Sequence, residues 1–206
     1  MADDQTKAPV PVTRYAYFAL FVIGAVTIFY ILMSGAGGPR YGNPLERFAE
    51  GDLAGLDFSR AGTPAPDGTF TGPDGEALTL ADFEGRTVLV NFWATWCGPC
   101  EREMPHLGAL QTGRGSADFE VVAISVDETE ARDYAATRLD ELAGTGVLEF
   151  YHAPPEAWEV VYGAGARGFP TTVIYDESGT EVARLAGEAD WSAGVALGFV
   201  DAVLAD

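Results

Sequence analysis

The 206-residue sequence predicts an α/β fold, a central mixed β-sheet flanked by helices, carried behind one N-terminal transmembrane helix. Three observations lead there. From residue 64 onward, short apolar runs suited to buried strands alternate with helical segments, the pattern of an α/β sandwich. Near the start, YAYFALFVIGAVTIFYILM contains no Lys, Arg, Asp or Glu. Between the two lies a stretch rich in Gly, Ala and Pro, which has the composition of a tether.

Residues 1–14 form a short cytoplasmic tail. Their Asp3, Asp4, Lys7 and Arg14 cancel, so the whole formal charge of −19 lies beyond the apolar stretch. At about 1.5 Å per residue, positions 15–33 span roughly 28 Å, close to a bilayer's hydrocarbon core. Tyr15, Tyr17 and Tyr30 lie near its ends, where interfacial aromatics concentrate. A cleaved signal peptide is the rival reading, with Ser34-Gly35-Ala36 as its small-residue site, but such h-regions are usually shorter. Lys7, Arg14 and the amino terminus favour a cytoplasmic N-terminus, against Arg40 and Arg47 on the far side.

Residues 34–63 read as a linker with one short helix near 45–50, and residues 64–206 as the folded domain. TFTGPDGEALTL carries a Pro-Asp-Gly turn between extended pieces and predicts a hairpin. VLVNFWA (88–94) and FEVVAISVD (119–127) are continuous apolar runs, the mark of strands covered on both faces. A helix follows from the first cysteine to about Gln111. Asp127 and Glu130 resemble a capping box that opens a second helix, ending near Leu142. VLEFYHA is a further strand candidate and PEAWEVVYGA a short helix. TTVIYDESGTEVARLAG predicts a hairpin turning at Glu177-Ser178-Gly179, and the tail 192–204 a closing helix.

Composition excludes some functions. A surface this acidic repels phosphate backbones, which argues against a nucleic-acid partner. It suits the steering of cationic partners, or simply solubility.

The only two cysteines stand in Cys97-Gly98-Pro99-Cys100. A structural disulfide closing so short a loop restricts few unfolded conformations and stabilises little. A metal site needs about four ligands, and only His106 and His152 are available besides the cysteines. Redox chemistry fits best. Cys97 follows a buried strand and opens a helix, whose free N–H groups and dipole favour a thiolate. Cys100, one turn on, is placed to attack a mixed disulfide made by Cys97. Gly98 permits close approach of a partner chain, and Pro99 is tolerated in a first helical turn. Glu103 is kept near the pair by helical spacing, either as a functional acid or as an exposed charge favoured by the helix dipole.

The stretch NFWATWCGPCEREMP, with LTLADFEGRTVLV before it, resembles the thioredoxin superfamily. It resembles more narrowly the membrane-anchored TlpA/ResA-like thiol-disulfide oxidoreductases of bacteria. GFPTTVIYDESGTEVARLAGEADW is most similar to the TlpA type. The resemblance covers about residues 64–206 and implies a thioredoxin-like fold. It makes Cys97 the exposed nucleophile and Cys100 the resolving cysteine, with their disulfide as the redox group and no other cofactor or metal. Pro170 matches the family's cis-proline, which with Phe169 presents backbone to a substrate strand, and Trp96 forms part of the rim. Asn91 stands where thioredoxin carries a buried Asp. An amide cannot accept the proton that Cys100 must lose, which leaves Glu103 as the nearest base.

The shared Gly-Pro dipeptide suggests a reductant, since thioredoxin lies near about −270 mV and the oxidant DsbA near about −120 mV. An anchored reductant has a distinct task on the oxidising face, which implies a single-pass protein of the bacterial inner membrane with its soluble domain in the periplasm. The implied donor is a membrane thiol transporter. The implied targets are a copper-insertion factor or the copper-binding subunit of cytochrome oxidase, or else apocytochrome c. A non-enzymatic copper chaperone using Cys97, Cys100 and His152 is a further alternative, with a spacing one residue shorter than Sco-type chaperones use.

Overall fold

The computed structural model describes residues 21–24 and 42–205. Residues 21–24 are helical, with Phe21 and Ile23 exposed. The rest of the expected anchor at 15–33 and the tail at 1–14 lie outside the described residues. Among those described, no helix is long and apolar enough to cross a membrane.

From Asn43 onward the chain forms one unit around a seven-stranded sheet. The strands are β1 (Phe70–Thr71), β2 (Ala77–Leu78), β3 (Thr87–Trp93), β4 (Phe119–Ser125), β5 (Tyr151–His152), β6 (Thr171–Tyr175) and β7 (Glu181–Ala186). Their spatial order is β2-β1-β5-β4-β3-β6-β7. The centre is mixed, as expected: β4 runs parallel to β3, and β6 antiparallel to it. Every residue of β3 is buried, which explains why its sequence shows no alternation. Helices α1 (Gly98–Arg114), α2 (Arg132–Ala143), α3 (Glu159–Gly163) and α4 (Gly194–Val203) flank the sheet. Both predicted hairpins form, β1 with β2 and β6 with β7.

Helix α1 continues through Pro105, which lies exposed within it. Glu101 accepts Arg138 Nε at 2.7 Å and so ties α1 to α2. Gly108 packs tightly against the last residue of α2. A Cβ there would stand 2.4 Å from the Ala143 carbonyl oxygen, so no larger residue fits.

Three expectations are revised. The linker placed at 34–63 is, from Asn43 onward, part of the fold. Its small-residue composition conceals Leu45 and Leu53, buried from two 3-10 turns, Leu56, buried just after them, and Phe48, which meets Phe199 edge-on at 6.0 Å. The chain then runs along the free edge of β7. Asp57 exchanges both backbone hydrogen bonds with Arg184, and Gly62, Thr63 and Ala65 continue the seal. An uncovered edge strand is a template for pairing with other chains, so this strap has a physical purpose. The strand expected at 147–153 pairs only over Tyr151–His152, because Gly144 and Gly146 at positive φ turn the chain just before it. Asp127 does not cap the second helix. Glu128 precedes a 3-10 turn there without any side-chain cap, and the Asp127 carboxylate is engaged elsewhere.

If the 43–63 segment belongs to the fold, cutting back its leucine must cost stability. Leu53 is fully buried, so Leu53→Ala is expected to lower the unfolding free energy by about 2–4 kcal/mol in urea titration. A free tether would show no change.

Candidate redox site

The site sits where β3 ends and α1 begins. Cys97 is the N-cap of α1, and its sulfur accepts the Cys100 backbone N–H at 3.3 Å. Pro99, in the first turn, has no N–H to leave unpaired. The cysteines form a disulfide, S–S 2.06 Å, with the Cα atoms 5.2 Å apart. Their exposures differ in the expected order: Cys97 retains 7%, Cys100 none. A Cβ added to Gly98 would meet only Arg102 Nη1, at an ordinary 3.7 Å. Nothing inside the chain therefore demands glycine at this position, and the space it leaves faces outward.

The Phe169-Pro170 peptide bond is cis, as expected. The loop it turns is held by Thr171 Oγ1 donating to the Gly168 carbonyl at 2.7 Å, and by Gly187 N donating to the Pro170 carbonyl at 3.0 Å. Trp96 is 64% exposed and lies edge-on to Phe169 at 5.8 Å, so the cysteine loop and the proline loop share one aromatic contact. Trp158 and Tyr162 extend the aromatic face. Trp93, by contrast, is wholly buried packing.

Glu103 is not an exposed helix charge. It is 1% exposed and faces the sheet beneath the cysteines' helix. One carboxylate oxygen accepts Asn91 Nδ2 at 3.0 Å. The other accepts Trp191 Nε1 at 2.6 Å and the Ala189 N–H at 3.2 Å. Asn91 also donates to Thr172 Oγ1 at 2.9 Å, across the β3–β6 register. Loss of water on burial pushes the Glu103 carboxyl up to about 7, against the three donors, which favour its charged form. A carboxyl in that range suits proton exchange at neutral pH.

Asp127 was missed as a site residue. Its buried carboxylate accepts the Thr95 N–H at 3.0 and 3.2 Å, Thr95 Oγ1 at 2.7 Å and Ser125 Oγ at 2.9 Å. It thereby anchors the turn that carries Trp96 and Cys97. The available signal was position: in a parallel β3–β4 pair, the second residue past β4 lies beside the turn leaving β3. Trp191 was also unassigned. Its buried indole N–H donates to Glu103, whereas those of Trp93 and Trp158 have no hydrogen-bond partner among the described residues.

His106 is half-exposed, its Nδ1 2.9 Å from Asp190 and 3.1 Å from Ser192 Oγ. His152 is buried, with Nε2 2.9 Å from the Asp127 carbonyl oxygen. Among the described residues, no group of three or more His, Cys, Asp or Glu is arranged to hold a metal ion.

Comparison with known proteins agrees with this geometry. The Redoxin family pattern matches residues 60–197. Thiol-disulfide oxidoreductase ResA of Bacillus thuringiensis (strain Al Hakam) is 30% identical over 161 residues, 78% of this chain and 86% of that protein. ResA of Halalkalibacterium halodurans is 32% identical over 127 residues, covering 62% and 69%. A thiol:disulfide interchange protein of the thioredoxin family from Chlorobium tepidum superposes with a TM-score of 0.54 at 28% identity, over 71% of this chain and 98% of that one. The thioredoxin domain of a Bacteroides vulgatus thiol-disulfide oxidoreductase, at 23% identity and a TM-score of 0.58 over 70% and 97%, shares the fold. A cysteine pair opening a helix, a cis-proline loop against it and this kinship together make the chain a member of the Redoxin family within the thioredoxin superfamily, and a thiol-disulfide oxidoreductase.

Proposed function

We propose that this protein is anchored in the bacterial inner membrane by residues 15–33 and reduces disulfides of selected proteins on the periplasmic side. The observation that carries the reading is the division of the cysteine pair. Cys97 reaches the surface beside Trp96 and the proline loop, while Cys100 is sealed beneath it. In the reduced protein, the Cys97 thiolate, favoured by the start of α1, attacks a target disulfide. The target strand lies along Phe169-Pro170, with Trp96 as rim and Gly98-Pro99 leaving room for its backbone. Cys100, giving its proton to Glu103, then attacks Cys97 and releases the reduced target. A membrane thiol transporter restores the dithiol.

The TlpA-like C-terminal stretch, LAGEADW, favours a copper-centre target, either a copper-insertion factor or the copper-binding subunit of cytochrome oxidase. Relatives named ResA favour a second target, apocytochrome c, through the likeness to ResA-type proteins. The copper-chaperone alternative loses ground, because the His152 ring is buried and its Nε2 already faces the Asp127 carbonyl.

The reducing direction is tested by equilibrating the full chain in detergent with a dithiothreitol series and following tryptophan emission. A potential below about −200 mV is expected; one near the value of DsbA, about −120 mV, reverses the assigned electron flow. Targets are tested by trapping. Cys100→Ser is expected to accumulate a covalent adduct with the target in cells, and Cys97→Ser neither adduct nor turnover. The protein recovered from the adduct separates the two target classes, and absence of any adduct sinks the resolving role.

Glu103 adds a pH signature. Its carboxyl is raised from 4.5 to about 7, so the folded state binds the proton more tightly than the unfolded one. This stabilisation is complete below pH 4.5 and is lost as pH rises to about 7. Relative to Glu103→Gln, the oxidised wild type is expected to lose on the order of 3 kcal/mol across that window, measured by denaturant titration. Turnover is expected to rise with pH through about 7 in the wild type and to lose that limb in Glu103→Gln. An unchanged profile removes Glu103 as the base.

A further inference from the structure

A base that accepts a proton in the protein interior must also dispose of it, and the groups bonded to Glu103 cannot help. Asn91 Nδ2, Trp191 Nε1 and the Ala189 N–H are all donors, and neither an amide nor an indole takes up a proton at neutral pH. On the sheet side the chain of contacts ends at Thr172, which is fully buried. On the other side Glu103 lines a cleft of about 280 Å³, bounded by Arg102 and His106 of α1, by Glu188, Ala189 and Asp190, and by Asp52. Such a volume holds several water molecules. Arg102 and Glu188 are engaged with each other through two hydrogen bonds of 2.9 Å. The group suited to the task is His106, whose imidazole ring offers one nitrogen that can accept a proton and another that can donate one. It lies three residues after Glu103, adjacent on the helix surface, and is 40% exposed. Its Nδ1 is held by Asp190 at 2.9 Å and Ser192 at 3.1 Å, and Ser192 Oγ in turn donates to Asp190.

We propose that this cleft is the proton exit of Glu103, and that His106, oriented by Asp190 and Ser192, relays the proton between the cleft and solvent. The proposal rests on Glu103 acting as the base for Cys100. In the resolving step the Glu103 carboxylate takes the Cys100 proton. The Cys100 thiolate bonds to the Cys97 sulfur, the bond from Cys97 to the target breaks, and the target sulfur leaves as a thiolate with the electron pair. The target is reduced by two electrons and the cysteine pair is oxidised by two. One proton remains on Glu103 and passes through the cleft to His106 and on to solvent. Recharging by a donor dithiol reverses the route.

The test uses the full chain in detergent, reduced and mixed rapidly with 5,5′-dithiobis-(2-nitrobenzoate) in weakly buffered solution at pH 7. The first aryl thiolate reports attack by Cys97, and the second reports resolution by Cys100. His106→Gln is expected to leave the first phase unchanged. It is expected to slow the second roughly tenfold, less than the full contribution of a placed base because cleft water carries part of the traffic. Added free imidazole is expected to restore it. An unchanged second phase, slowing that imidazole does not rescue, or equal slowing of both phases overturns the relay. Glu103→Gln separates the two ideas. If it slows the second phase while His106→Gln does not, the base stands and the exit lies elsewhere. If it leaves the second phase unchanged, the base falls and the relay with it.

Discussion

A carboxyl group taken out of water is costly unless the surrounding structure supplies hydrogen-bond donors, and Glu103 draws donors from three separate parts of the chain. Asn91 comes from the central strand, Trp191 and the Ala189 N–H from the segment after β7, and Glu103 itself from the helix that bears the cysteines. Meeting that demand fixes the distance of α1 from the sheet and closes the C-terminal segment over it. The donors do not fully compensate, and the carboxyl is left near neutrality rather than firmly ionised. In the proposed mechanism that incomplete compensation is the useful property, because a fully satisfied carboxylate would be too weak a base for a thiol.

A second buried carboxylate, Asp127, performs a mechanical task with similar means. It accepts the backbone and hydroxyl of Thr95 and the hydroxyl of Ser125, and its carbonyl oxygen meets His152. Residues at the ends of β3, β4 and β5 are thus joined at the edge of the sheet where chemistry takes place. Trp96 projects outward from this fixed turn and remains 64% exposed, which is tolerable for an indole that serves as a contact surface. On the neighbouring loop, Phe169 meets that indole from the side of the cis-proline.

What was legible in the sequence was whatever rests on local patterns. VLVNFWA and FEVVAIS announce buried strands because both faces of a central strand are apolar, and Asp-Glu-Ser-Gly announces its turn. Cys97 and Cys100 were legible because few chemistries need two thiols one helical turn apart. The misreadings arose where a long-range partner decides the outcome. Leu45, Leu53 and Leu56 lie among glycines and alanines, and only the free edge of β7 and the face of α4 make that stretch part of the fold. Asp127 has the spacing of a helix cap, yet Thr95, thirty-two residues away, offers it better-placed donors. Trp191 and Ala189 become Glu103 ligands only after the β6–β7 hairpin has brought the chain back; no local spacing encodes this.

The placement of the acid also separates two kinds of traffic that a thiol-disulfide oxidoreductase must handle together. Protein targets need a broad, dry surface, which Trp96, Phe169 and the outward side of Gly98 offer. Protons need water and a titratable group, which the cleft beside Glu188, Asp190 and His106 offers. The two surfaces share no lining residue. In the proposed cycle a docked target covers Cys97 and leaves the cleft open to water, although Arg102, which lines the cleft, borders Gly98. A base in line with the exposed sulfur would lose its water whenever a target bound. Setting the carboxyl one turn beyond Cys100, on the sheet-facing side of α1, places Glu103 in the lining of the cleft and away from the face that carries Trp96.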